Sequence, residues 1–418
     1  MAFLHSLLGY IALLALAWFL GKRTRLIPWK TLLVAALAQF VSAGLLVRTG
    51  LRQYIFAAIG NLTDLLRGTA LKASQSLLFS GVSNAEFAST FGPVIALEIA
   101  SILIFVAAVS RMLYHYGVLP WFIGLLSRFM QRVFGISAAE SVGMSANVFL
   151  GMTEAPLLIR PYIARMTESE LFCLMTGGMA TIAGTVMVVY ASILDGAHAD
   201  IAGHLFIASL ISAPAAVGMA KLMVPETGQP ETVRRQVEMP ARDTLNGLDA
   251  AARGASEGVQ LVINVIAMLI AFIGLVELAN QVVGWVDGWF NGVASGSWSL
   301  QAAMGVLFRP LVWLMGLSWQ EAGAVGELMG VKTVLNEFVA YMQLAGLQGE
   351  RALADRPFLV AVYALCGFAN FGSVAIMIGG IGGIAPERRG DLARLGLRSL
   401  VGGTLATMST GCVIGLLI

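Results

Sequence analysis

The stretch GMTEAP at residues 151–156 sets a hydroxyl, Thr153, and a carboxylate, Glu154, between a glycine and a proline. Its surroundings, NVFLGMTEAPLLIRPYI, are apolar, in a chain that is 58% hydrophobic and 12% charged. A second stretch, VGELMGVKTVLNEFVAY, carries Glu337, and a third, CGFANFGSV, carries Phe368, Asn370 and Ser373. A carboxylate at membrane depth costs at least about 2.5–3.5 kcal/mol on insertion scales. A hydroxyl-rich ligand or a cation would offset that cost. Carboxylates, an amide, hydroxyls and one aromatic face suit a neutral, polyhydroxylated solute with an aromatic ring. No arginine stands at either carboxylate-bearing turn to receive a dicarboxylate or a nucleotide. Structural readings stand beside this one. Glu154 could pair with Arg160 and Glu337 with Lys332, and Asn370 and Ser373 are of the kind that packs between membrane helices. Glu140, Glu321 and Glu327 are assigned to hairpin structure.

The elements that hold these residues follow from hydropathy. The mean hydropathy is +0.81, and long apolar runs recur without the ten-residue alternation of a β-barrel. The reading is an all-α polytopic membrane protein with spans near 3–20, 31–48, 92–114, 170–191, 203–223, 258–282, 357–384 and 395–417. The first segment lacks a basic leader and reads as a span, not a signal peptide. Residues 50–67 and 120–133 read as amphipathic interfacial helices. The linker from 225 is the one long polar segment.

The lysine and arginine distribution sets orientation. Basic residues collect in the loop GKRTRLIPWK, around Arg111, Arg128 and Arg132, in the linker, and in PERRGDLARLGLR. All face one side if both termini lie outside. The opposite side holds Arg48, Arg52, Arg67, Lys72, Arg351 and Arg356.

Two regions, 135–166 and 300–345, are too interrupted for simple spans and read as re-entrant hairpins. Irregular backbone survives at membrane depth where it lines a wet cavity or is buried in protein. Pro156 ends helix at the first tip, and Gly151 relaxes its backbone. The regions also match each other. Glu140 follows Gly135 by five positions as Glu321 follows Gly316, and GGMATIAGTV parallels CGFANFGSV. The repeats enter from opposite sides, an inverted design common in secondary transporters, with the binding site at the repeat interface.

Other chemistries are excluded or demoted. A net charge of +2 and the absence of a basic run argue against nucleic acid. Cys173, Cys366 and Cys412 are scattered through apolar segments, and His5, His115, His198 and His204 lack ligand spacing, so no cofactor is expected. No HExxH or nucleophile supports an intramembrane hydrolase. An ion channel would need polar rings without a solute site.

At NVFLGMTEAPLLIRPYI, GGMATIAGTV, VGELMGVKTVLNEFVAY and CGFANFGSVAIMIGGIGGIAPERRGDLARLG the chain resembles the concentrative nucleoside transporter family, over essentially its whole length. The resemblance implies a homotrimer in a bacterial inner membrane, working as an elevator. It implies scaffold parts at 1–134 and 258–297, transport repeats at 135–224 and 298–418, and a linker at 225–257. It places Met152, Thr153, Glu154, Val186 and Phe368 at the nucleobase, and Glu337, Asn370 and Ser373 at the ribose. It assigns a co-transported sodium ion to Asn147, Thr181 and the carbonyls of Leu150 and Ile182. Met152 departs from the glutamine usual there and cannot make its amide hydrogen bonds. A proton-coupled relative is the alternative.

Overall fold

The computed structural model describes residues 2–21, 27–74, 95–198, 200–233, 237, 243–291, 299–347 and 352–418. The expected basic loop at Lys22, Arg23 and Arg25, the linker residues Arg234, Arg235 and Arg242, and Arg351 lie outside them. So does the start of the span expected over 92–114.

All regular structure among the described residues is helical. The chain opens with α1 (Ala2–Leu20), α2 (Trp29–Arg48), α3 (Leu51–Ala73), α4 (Ile95–His115) and α5 (Val118–Phe134). A broken unit follows: α6 (Ala138–Asn147), a 3-10 turn (Ala155–Ile159), the short α7 (Arg160–Ile163), then α8 (Glu168–Ala180), α9 (Gly184–Ile193) and α10 (Ile201–Met223). After the long α11 (Gly247–Asn291) the pattern returns: α12 (Leu300–Trp313), α13 (Trp319–Val334), α14 (Glu337–Ala345), α15 (Asp355–Leu365), α16 (Phe371–Ile384), a 3-10 turn (Pro386–Arg388) and α17 (Arg389–Leu417).

The two stretches expected as amphipathic helices, 50–67 and 120–133, are helical, in α3 and α5. α5 buries Ile123, Ser127, Met130 and Phe134 at helical spacing and exposes Trp121, Phe122, Leu125 and Phe129. That is an apolar helix with two different surroundings. Gly117 and Gly135, both at positive φ (81° and 68°), bound it. α3 buries only the narrow stripe Phe56, Thr63 and Ala70.

Among the described residues, seven helical segments are long and apolar enough to cross a membrane. The span expected over 357–384 is built instead from two shorter helices, α15 and α16, and the span expected over 170–191 is interrupted between α8 and α9. Continuous apolar sequence hides both breaks, because the residues that leave the helix are themselves apolar or small. The core lies between α8, α10, α15 and α17: 89% of the apolar window containing α17 is buried, against 12% of that in α11. α4 and α11 pack on each other, whereas α1 and α2 lie on α10 and α17. α1 comes so close that a methyl group on Gly9 would meet the Leu314 carbonyl oxygen at 1.7 Å.

Candidate functional site

The first hairpin tip, residues 148–154, is a turn between α6 and the 3-10 helix. The Gly151 carbonyl accepts from the N–H groups of Glu154 (3.1 Å) and Ala155 (3.0 Å). Pro156 stands in the first turn of the 3-10 helix, where its missing N–H costs nothing. The Glu154 carboxylate is exposed and accepts only a long bond from the Gly151 N–H at 3.4 Å. It forms no ion pair with Arg160 among the described residues.

Two bare glycines seat this tip. A methyl group on Gly178 of α8 would lie 2.8 Å from Met152 Cβ, and one on Gly380 of α16 would lie 2.8 Å from Thr153 Cγ2. The tip of the first repeat is thus wedged between its own following helix and the matching helix of the second. Met152 is packed against α8, where the main-chain approach leaves no room for a side chain on Gly178.

Beside the tip, α8 stops and α9 starts after residues 181–183. The Thr181 hydroxyl lies 3.1 Å from the Asn147 carbonyl and 2.9 Å from that of Gly177. The Gly184 N–H donates to the Phe149 carbonyl at 3.0 Å, so break and tip hold one another. Ser209 of α10, which sequence reasoning missed, brackets Ile182: it accepts from the Ile182 N–H and donates to its carbonyl, each at 3.3 Å. Asn147 is buried. Its Nδ2 donates to the Leu174 carbonyl at 3.4 Å, and its Oδ1 has no partner. The reverse placement of the amide would set its oxygen against the Leu174 carbonyl, so the assignment stands. An unpartnered buried oxygen costs about 1–3 kcal/mol, and a hard cation is the ligand that oxygen donors of this kind accept. Asn147 and Thr181 are therefore in direct contact, with Leu150 on the same tip and Ile182 in the same break.

The second centre forms where α13, α14, α15 and α16 meet. Asn336 caps α14, accepting from the Val339 N–H at 3.0 Å, and so places Glu337 at the first helical position. There the carboxylate faces the positive end of a helix dipole. Asn370 does two jobs: its Oδ1 accepts from the Ser373 N–H at 2.7 Å and caps α16, while its Nδ2 donates to Glu337 Oε2 at 3.0 Å. The Tyr190 hydroxyl of α9 donates to Glu337 Oε1. Tyr190 was not anticipated; the one signal for it is a hydroxyl-bearing residue ending the apolar run VMVVY. Glu337, Asn370 and Ser373 come together as expected. Phe368 and Val186 are half-buried at the two breaks and share no polar contact with that group. Lys332 does not pair with Glu337. Its Nζ donates to the Ala364 carbonyl at 2.9 Å and to Thr407 Oγ1 at 3.3 Å.

Two of the glutamates assigned to the hairpins have defined partners. Glu321 closes a capping box with Ser318, and Glu140 forms a buried ion pair with Lys221 at 2.7 Å.

Chemically, the arrangement is a carboxylate with fixed donors, a second, exposed carboxylate on a tip, and one buried amide oxygen, Asn147 Oδ1, without a partner. It holds no nucleophile–base pair. Among the described residues, no group of three or more His, Cys, Asp or Glu could hold a metal ion.

The chain is similar to known proteins over its whole length. Residues 204–415 match a family described as the C-terminus of Na+ dependent nucleoside transporters, residues 8–80 its N-terminus, and residues 96–196 a nucleoside recognition family. An uncharacterised transporter of Haemophilus influenzae is 39% identical over 100% of this chain and 98% of its own. The nucleoside permease NupC of Helicobacter pylori is 34% identical over 99% and 98%. Mouse solute carrier family 28 member 3 is 36% identical over 98% of this chain and 58% of its own. Among solved structures, CNTnw in an inward-facing, substrate-bound state superposes with a TM-score of 0.91 at 38% identity, covering 100% of this chain and 98% of that one. An outward-facing variant of CNTnw gives 0.90 at 37%, with the same coverage.

Proposed function

The chain belongs to the concentrative nucleoside transporter family and is an integral membrane transporter, not an enzyme; from that premise we propose that it imports nucleosides by sodium symport. The single observation that carries the ion reading is Asn147 Oδ1, a buried acceptor with no partner, on a residue whose main-chain carbonyl accepts from Thr181 and which adjoins an irregular tip. Asn147, Thr181 and the carbonyls of Leu150 and Ile182 supply hard oxygen donors of the kind sodium takes.

On this reading Glu337 and Asn370 hold the ribose diol. A diol donates to the carboxylate, and such charge-assisted bonds are the strong ones. Tyr190 and Asn370 orient the carboxylate before the nucleoside arrives, so little ordering remains on binding. Thr153, Glu154, Val186 and Phe368 flank the base. Met152 offers no amide to it, which broadens base preference. Sodium binding orders the first tip and completes the nucleoside site, so each ligand raises the affinity of the other. The transport repeats move past a scaffold as an elevator, three protomers assemble in the bacterial inner membrane, and both termini lie outside. Each charge moved down 100 mV contributes about 2.3 kcal/mol, enough for roughly 50-fold accumulation.

The test is uptake of radiolabelled uridine and adenosine into proteoliposomes, first under a sodium gradient and then under a proton gradient. Uptake with sodium alone supports the reading. Uptake driven only by protons retires the ion site and moves coupling to Glu154 or Glu337.

A further inference from the structure

Glu337 is held by both repeats at once. Its Oε2 accepts from Asn370 Nδ2 at 3.0 Å, and Asn370 caps α16 in the same repeat as Glu337. Its Oε1 accepts from the hydroxyl of Tyr190, on α9 of the other repeat. Among the described residues, no further side chain donates to this carboxylate. A carboxylate offers about four lone-pair sites, so acceptor capacity remains for the two hydroxyls of a ribose diol. Tyr190 is thus the polar link by which the first repeat reaches the carboxylate of the second.

The helix that carries Tyr190 begins beside Asn147, Thr181 and Ile182. α9 starts at Gly184, whose N–H donates to the Phe149 carbonyl of the first tip at 3.0 Å. A methyl group on Gly184 would press on that same oxygen at 3.2 Å, so the first turn of α9 abuts the tip directly. Tyr190 follows on this uninterrupted helix, about 9 Å along its axis at 1.5 Å per residue. Its buried ring lies 4.9 Å from that of Tyr341 and 6.3 Å from that of Phe338, both on α14. The ring keeps α9 against α14, and the hydroxyl alone addresses the carboxylate at the start of α14.

We infer that Tyr190 couples the ion to the sugar: ion occupancy fixes where α9 starts, and the Tyr190 hydroxyl farther along that helix then sets Glu337 to receive the ribose hydroxyls. A hydrogen bond weakens steeply once its alignment is lost, so a small shift at the helix start is felt at the carboxylate. Tyr190 is a positioning residue, acting through Glu337. The inference rests on the sodium reading above and deepens it. The tip carries the ion's effect to the base, and α9 carries the same ion's effect to the ribose.

The experiment measures a coupling factor, the nucleoside Kd without sodium divided by that at saturating sodium. It uses equilibrium binding to the purified protein in detergent, with uridine and, by competition, 2′,3′-dideoxyuridine. Dideoxyuridine has no 2′ or 3′ hydroxyl to donate to Glu337, so in the wild type its factor is expected to be about tenfold smaller than that of uridine. Tyr190→Phe keeps the ring and removes the hydroxyl, and its uridine factor is expected to fall to the dideoxyuridine value. Tyr341→Phe removes a neighbouring buried hydroxyl that donates instead to the Val362 carbonyl at 2.9 Å, and its uridine factor is expected to stay at the wild-type value. Equal factors above one for the two nucleosides in the wild type overturn the inference and leave the sodium site standing. So does a Tyr190→Phe protein that binds uridine more weakly but keeps its coupling factor, since a merely structural hydroxyl lowers both affinities alike. An equal loss in Tyr341→Phe also overturns it, as general loosening. Where Tyr190→Phe does not fold, the wild-type comparison of the two nucleosides decides. A wild-type factor of one for both nucleosides overturns the sodium reading itself.

Discussion

Gly135 and Gly316 both take left-handed backbone, Ser137 and Ser318 both cap the helix that follows, and Glu140 and Glu321 both stand at its third position. Glu321 turns back, and its carboxylate accepts from the Ser318 N–H at 2.8 Å. Glu140 turns away to Lys221 in the core. The linker braces the start of that helix instead: the Thr232 carbonyl accepts from the Ala138 N–H at 3.2 Å and its hydroxyl from the Ala139 N–H at 3.0 Å. The tips reverse this asymmetry. The first ends in an exposed carboxylate and an unpartnered amide oxygen, the second in a carboxylate with two donors and an ammonium with two acceptors. One hairpin is fastened at its base and open at its tip; the other is the converse. The same local code thus yields one element that awaits ligands and one that is already built.

The strongest way to break this comparison is at the base of the first hairpin. Lys221→Met leaves Glu140 buried and unpaired, which is expected to cost about 3–5 kcal/mol. Thermal unfolding in detergent should fall accordingly, and adding Glu140→Leu should recover most of the loss. No recovery would mean that the pair is not what anchors this hairpin. At the second tip, Glu337→Gln removes the charge that Tyr190 and Asn370 address. Loss of a charged acceptor is worth about 1.5–3 kcal/mol, so nucleoside affinity should drop roughly 10- to 150-fold in equilibrium binding. Unaltered uridine and adenosine affinity would remove Glu337 from the ribose site.

The open tip offers a sharper, smaller contrast. Asn147→Ala takes away the unpartnered oxygen, and half-saturation by sodium is expected to rise about tenfold, or about 1.4 kcal/mol. Retained sodium dependence would place the ion elsewhere. The smallest effect is expected at the base of the second hairpin. Glu321→Ala opens only a surface capping box, so the loss should be about 1 kcal/mol by the same unfolding measurement, with transport kept. If it matches Lys221→Met, the two bases are equivalent after all.

Much of this was legible in the residues. Long apolar runs require helices, because a backbone in lipid must satisfy its own polar groups. Gly151 and Pro156 mark a turn, and the serine–glutamate spacing marks a helix start at both hairpins. The grouping of Glu337 with Asn370 and Ser373 was also within reach, since two of the three lie in one short motif. The chain's order of elements, its two tips and its internal duplication are all set by patterns a few residues long.

Three things were decided only by packing. Tyr190 reaches Glu337 across 147 positions, and no periodicity reports such a pairing. Lys332 turns from the nearby Glu337 to a carbonyl and a hydroxyl, because the helix that carries it ends before Glu337 begins the next one. Glu140 and Glu321 share one local signal and part company because only the first has a buried lysine from α10 within reach. Local sequence specifies which groups are available; a buried charge then goes to whichever partner the assembled helices bring within hydrogen-bond distance, since in the low-dielectric interior no water competes for it.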